Sequence, residues 1–137
     1  MEAADLLAFK TIPDLDISPD GARVAYVVMW IDTEKDEYRS TIHVAPTEGG
    51  APVEFTRGPT RDSAPRWSAD GAQLAFLSDR GGDERQLYVM SARGGEPRRL
   101  TSLSGHAGAA SWSPDGKKIA ISFRVWVEPR PEDPEAR

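Results

Sequence analysis

Five residues, Trp67-Ser68-Ala69-Asp70-Gly71, return as Trp112-Ser113-Pro114-Asp115-Gly116, and a third copy, Ile17-Ser18-Pro19-Asp20-Gly21, stands near the start. An apolar-Ala-apolar triplet follows each copy: Val24-Ala25-Tyr26, Leu74-Ala75-Phe76 and Ile119-Ala120-Ile121. A paired glycine travels with the motif, in Gly49-Gly50-Ala51-Pro52-Val53-Glu54-Phe55-Thr56 and Gly94-Gly95-Glu96-Pro97-Arg98-Arg99-Leu100-Thr101. The step from Trp67 to Trp112 is 45 residues, and that from Asp20 to Asp70 is 50. The five extra residues fall between Met29 and Ser40, where Asp32-Thr33-Glu34-Lys35-Asp36-Glu37 reads as a charged loop. Self-similarity at this period marks a stack of similar units, each unable to bury its apolar face alone.

Within the second unit, four short apolar runs lie between turn signals, over 64–68, 73–78, 86–91 and 97–102. Asp-Gly and Gly-Gly pairs suit tight turns because glycine accepts positive φ. Four antiparallel strands in about 45 residues describe the blade of a β-propeller. The expected fold is therefore all-β, an incomplete propeller of about two and a half four-stranded blades. A short helix is expected over 3–9, where Leu6, Leu7 and Phe9 precede Pro13. The units divide as 1–13 helix and lead-in, 14–58 first blade, 59–103 second blade, and 104–137 partial third blade. That last unit ends in a proline-rich tail, Glu128-Pro129-Arg130-Pro131-Glu132-Asp133-Pro134, which forbids regular structure. The third copy of the motif opens a unit without its Gly-Gly turn, so the chain reads as part of something larger.

Each repeated acid has a structural role available to it. Asp20, Asp70 and Asp115 all precede Gly at a hairpin, where a carboxylate caps backbone N–H groups. Asp14-x-Asp16-x-Ser18-x-Asp20-Gly21 resembles a calcium loop only superficially, since Val27 stands where the closing Glu belongs. Ile17, Trp67 and Trp112 share a repeat position and are expected between blades, whereas Trp30 and Trp126 are expected further along second strands.

No catalytic, cofactor-binding or metal-ligating residue is assigned. The chain has 2 histidines and no cysteine, which removes disulfides, thiolate nucleophiles and thiolate metal sites. His43 is expected mid-strand as a partly buried packing residue, at the position that Tyr88 holds in the next unit, and His106 in a linker between units. Neither a G-x-S-x-G elbow nor a zinc-binding histidine spacing is present. A net charge of −5 with only isolated basic pairs argues against a nucleic-acid partner. Residues 1–10 lack an export signal, and no apolar run approaches the roughly 20 residues of a membrane span. The expected location is the cytoplasm.

Asp5-Leu6-Leu7, then D-x-x-I-S-P-D-G-x-x-V-A-Y from Asp14 to Tyr26, then W-S-x-D-G units with Gly-Gly-x-P-x-x-L-T tails, resemble the start of a prolyl-oligopeptidase-family serine peptidase. The acylaminoacyl-peptidase branch fits best. The resemblance implies an N-terminal propeller that gates short or N-acylated peptides toward an α/β-hydrolase domain, its partner in the parent chain. No family catalytic residue maps onto this segment, so the segment alone is expected to be inactive. The alternative is a fragment of a Tol-type or stand-alone propeller that binds proteins; a complete small enzyme using Ser104 or His106 is the residual reading. Open blade faces and an unpaired edge lead to an expectation of self-association by the isolated fragment.

Overall fold

The computed structural model describes residues 10–82 and 84–124. The helix expected over 3–9, Trp126 and the proline-rich tail lie outside these residues. The described residues form strands and turns, arranged as three antiparallel sheets. In the first sheet, β1 (Lys10–Thr11) and β2 (Leu15–Ile17) both pair with β3 (Arg23–Asp32), followed by β4 (Glu37–Pro46) and β5 (Val53–Glu54). The second sheet runs β6 (Asp62–Trp67), β7 (Gln73–Ser78), β8 (Gln86–Ser91) and β9 (Arg98–Arg99) in sequence order. β10 (His106–Trp112) and β11 (Ile119–Arg124) form the third. This is the blade order of a propeller, and β7 and β8 occupy the runs expected of them.

The triplets face in alternate directions, and that alternation stacks the sheets. Leu74 and Phe76 of β7 pack with Trp67, Tyr88 and Met90 against Ala25, Val27, Ile42 and Val44 of the first sheet. On the opposite face, Ala75, Leu77 and Leu87 meet Ala107 and Ala110 of the third, with Trp112, Ile119, Ile121 and Phe123 alongside. A strand buried on both faces needs no polar alternation, hence the unbroken Leu74-Ala75-Phe76-Leu77. Small alanines on one face admit large side chains from the next sheet. Among the described residues the outer face of the first sheet has no such cover, and Leu15 and Ile17 are 54% and 55% exposed.

Both motif tryptophans do more than fill space. Trp67 Nε1 donates to the Asp16 carbonyl at 2.9 Å, and Trp112 Nε1 donates to the Arg66 carbonyl at 3.0 Å. Asp16 and Arg66 each immediately precede the first motif position, so the same indole bond recurs from sheet to sheet. The seam at Trp67 has two additions. Its backbone N–H donates to Asp16 Oδ2 at 2.9 Å, and the Arg23 guanidinium lies 4.7 Å above its ring while donating to the Ala92 carbonyl at 2.7 Å. Trp30, paired across β1 and β3 with Lys10, is half-buried.

The three S-x-D-G turns are superimposable in their bonding. In the second, Asp70 Oδ1 accepts from Ser68 Oγ at 2.7 Å and from the Ala72 N–H at 2.9 Å, while Ser68 Oγ accepts from the Gln73 N–H at 3.0 Å. Asp20 and Asp115 make the same pair of bonds. Gly21, Gly71 and Gly116 all adopt φ 73°, a region that favours glycine. The bonds hold each carboxyl below its ordinary 3.8, led by the serine hydroxyl at Asp20 and Asp115 and by the Ala72 N–H at Asp70. Asp14 and Asp16 turn to other partners, so the calcium-like spacing does not converge.

Trp67→Phe removes the indole bond while keeping an aromatic filler, and is expected to cost about 1 kcal/mol in urea unfolding. Trp67→Ala is expected to cost about 3–5 kcal/mol. Because the turn carboxyls bind protons more weakly when folded than unfolded, stability falls as pH drops through and below about 3.8. Asp70→Asn keeps both acceptor bonds and should make that acid limb shallower in a pH series of unfolding midpoints, with Asp20 and Asp115 supplying the rest. Asp70→Ala should lower the midpoint at neutral pH as well.

Candidate functional site

The two ends of the stacked sheets differ. At the end built by the S-x-D-G and Gly-Gly turns, the three Asp-Gly hairpins repeat one closed bonding pattern. At the opposite end the loops are unlike one another, and variable loops on a rigid scaffold are where sites are built. Here the extra residues of the first unit lengthen the hairpin's strands and not its loop. β3 and β4 pair without interruption from Arg23↔Pro46 to Asp32↔Glu37, ten rungs against six between β7 and β8. Only 33–36 form the turn, in place of the longer charged loop expected over 32–37. The overhanging tip is tied to the second sheet by Arg61 Nε, which donates to the Tyr38 carbonyl at 3.1 Å.

Beneath the overhang lies a cavity of about 360 Å³ between all three sheets. Val27, Met29 and Leu77 supply its apolar lining, with Tyr38, Arg61 and Arg85 among its polar boundaries. Its walls are irregularities repeated in the first strand of every sheet. The strand breaks between β1 and β2 around Pro13, β6 shifts register between Ser63 and Arg66, and β10 shifts between Ala107 and Ala110. Such bulges re-aim side chains and open space beside a ladder. Ala64 holds φ 52°, an uncommon angle for a residue with a Cβ, and it too lines the cavity.

Charge is distributed unevenly around this space. Asp14 is neutralised by Arg66 at 3.1 Å, whereas Arg61 and Arg85 make no ion pair among the described residues. Close by, Asp62 is fully buried and bonded through Oδ2 to Arg80 at 2.8 Å and to Thr60 Oγ1 at 3.2 Å. Arg80 also donates to Ser78 Oγ at 3.0 Å, and its guanidinium lies 5.5 and 5.6 Å from the Phe76 and Tyr88 ring centres. Asp62 Oδ1 has no protein partner among the described residues. Sequence reading passed over this pair. The available signal was a break in the repeat, since Asp62 stands where the third unit has Ala107.

His43 lies mid-strand in β4, stacked on Tyr26 at 5.6 Å in the position that Tyr88 takes against Phe76. Burial holds its pKa below 6.5 against the pull of Glu54, so the 3.9 Å approach to Glu54 is not an ion pair at neutral pH. His106 is a correction. It begins β10 opposite Arg124 instead of occupying a linker. The strand continues through Gly108, which sits within the β10 bulge, where a Cβ would strike the Ser122 hydroxyl. No hydrogen bond joins Ser104 to His106, and no cluster of three or more acid or histidine side chains is arranged to hold a metal, among the described residues. No helix there is long and apolar enough to cross a membrane.

Removing one partner of a buried ion pair strands the other charge. Arg80→Ala is therefore expected to cost about 3 kcal/mol in urea unfolding. The paired change Asp62→Ala with Arg80→Ala should cost less than the sum of the single changes, as a double-mutant cycle will show.

The chain is 45% identical over 123 residues to the uncharacterized peptidase YuxL of Bacillus subtilis; the match covers 90% of this chain and 19% of that protein. It thus spans about a fifth of the length of that curated relative. Among solved structures, Pyrococcus horikoshii acylaminoacyl peptidase matches with a TM-score of 0.64 and 22% identity, covering 81% of this chain and 17% of that one. A putative TolB from Agrobacterium tumefaciens matches with a TM-score of 0.65 and 24% identity, covering 80% and 37%. At these identities both show the fold alone. The family model described as the PD40 TolB beta propeller domain matches residues 12–125, and with the repeated S-x-D-G turns and stacked antiparallel sheets it makes this chain a member of the TolB β-propeller family.

Proposed function

We propose that this chain is the non-catalytic propeller segment of a cytoplasmic serine peptidase, gating short or N-acylated peptides toward a hydrolase domain of the same polypeptide. The 45% identity to a peptidase across nearly the whole chain carries the reading. Fold likeness alone does not separate it from a Tol-type propeller, because the two solved structures match almost equally. Gating is a matter of size. Stacked sheets that bury their faces on one another leave narrow spaces, and a cavity of about 360 Å³ admits a residue or two but no folded domain.

The test uses the full-length protein that contains this segment, with N-acyl dipeptide anilides and a folded protein as competing substrates. Hydrolysis of the short substrates, blocked by a serine-directed fluorophosphonate, with no cleavage of the folded protein, is the expected result. Absence of both hydrolysis and fluorophosphonate labelling overturns the peptidase reading. Cleavage of the folded protein at a comparable rate overturns the gate.

The second reading, a protein-binding propeller of the Tol type, is favoured by the matching family model. Its discriminating sign is the remainder of the reading frame, with further S-P-D-G units in place of a G-x-S-x-G elbow and a late histidine.

A further inference from the structure

We propose that the cavity beneath the β3–β4 overhang binds the C-terminal residue of a short peptide, its hydrophobic side chain inside and its terminal carboxylate on Arg61 and Arg85. The proposal rests on the peptide-handling reading above and deepens it by naming the ligand class. Three observations converge. The cavity lies among all three sheets and has a mostly apolar wall, with half-buried Met29 at its surface and Val27 and Leu77 packed into the core behind it. Its two arginines lack acidic partners among the described residues, while the one carboxylate in the lining, Asp14, is neutralised by Arg66. Its walls are bulged in each first strand, with Ala64 held at φ 52°, so the backbone departs from a plain ladder where the space opens.

The geometry selects a chain terminus over an acidic side chain. In a C-terminal residue the side chain and the carboxylate leave the same Cα, so one residue satisfies the apolar lining and the guanidinium groups together. An internal Asp or Glu uses its side chain as the anion and leaves the apolar lining unfilled. Arginine suits the role because its planar fork takes a carboxylate through paired N–H donors. Arg61 uses Nε on the Tyr38 carbonyl, which keeps its guanidinium at the cavity margin. Nucleic acid fits poorly, given the net charge of −5.

Fluorescence anisotropy on the full-length protein, treated with fluorophosphonate to prevent turnover, supplies the test. The probes are fluorescein-Gly-Ala-Ala-Leu as free acid, the same peptide as C-terminal amide, and fluorescein-Gly-Glu-Ala-Leu as amide. The free acid is expected to bind about tenfold more tightly than either amide, the scale of one charge-assisted hydrogen bond near the surface. Arg85→Gln should abolish that preference, Arg85→Lys should keep part of it, and Arg93→Gln at the opposite end should leave it intact. Leu77→Trp, which fills the cavity, should weaken the leucine acid and its amide alike.

Equal affinity for acid and amide overturns the proposal, as does equal affinity for the glutamate-containing amide. Loss of the preference in Arg93→Gln, or its survival in Arg85→Gln, also overturns it. The two readings fail separately. A protein that hydrolyses peptides but ignores the terminus keeps the function and loses this site. One that prefers the acid without hydrolysing anything keeps the site and loses the peptidase.

Discussion

Everything in this structure depends on a central sheet that buries both faces. β7 has no solvent side, since Leu74 and Phe76 look toward one neighbour and Ala75 and Leu77 toward the other. Close packing of this kind tolerates no slip, because a one-residue shift exchanges the large and small faces of the strand. The indole bonds from Trp67 and Trp112 to the preceding sheets add direction to an attraction that has none of its own. They set the height at which each sheet meets the next. The repeated turns then come into line at one end, and differences in loop length accumulate at the other.

That division of labour explains why one end is uniform and the other is not. An Asp-Gly turn closed by its own serine and aspartate needs nothing from its neighbours, so it can be copied unit after unit. The opposite end is assembled from partners far apart in sequence: Arg61 with Tyr38, Asp14 with Arg66, and a cavity to which all three sheets contribute. The Asp62–Arg80 pair belongs to this end as well. Its burial against Phe76 and Tyr88 joins the 79–82 turn to the core, so loop geometry there is set by packing and not by the turn alone.

What the sequence disclosed follows the same line. The strand runs 73–78 and 86–91, the role of the three aspartates and the packing of Trp67 were legible because they recur, and recurrence separates architecture from accident. The lengthened hairpin, the buried ion pair and the cavity were not legible. Each departs from the repeat, and each depends on contacts across sheets that no local pattern encodes. His106 shows the limit at a single residue: glycines at 105 and 108 look like a loop, yet Gly108 serves a bulge inside a strand. The peptidase reading rests on family resemblance and on identity to a peptidase, and on no catalytic residue assigned among the described ones.

The unbroken ladder of β3 and β4 has a bearing on how such a scaffold diversifies. At about 3.3 Å per residue, ten paired residues form a continuous ribbon about 30 Å long, anchored in the core at one end and projecting at the other. Because side chains alternate with a period of two, the ribbon can lengthen or shorten by residue pairs on both strands without turning its apolar face outward. The reach of the cavity roof can therefore change by about 7 Å for each added pair of rungs without disturbing the stack beneath.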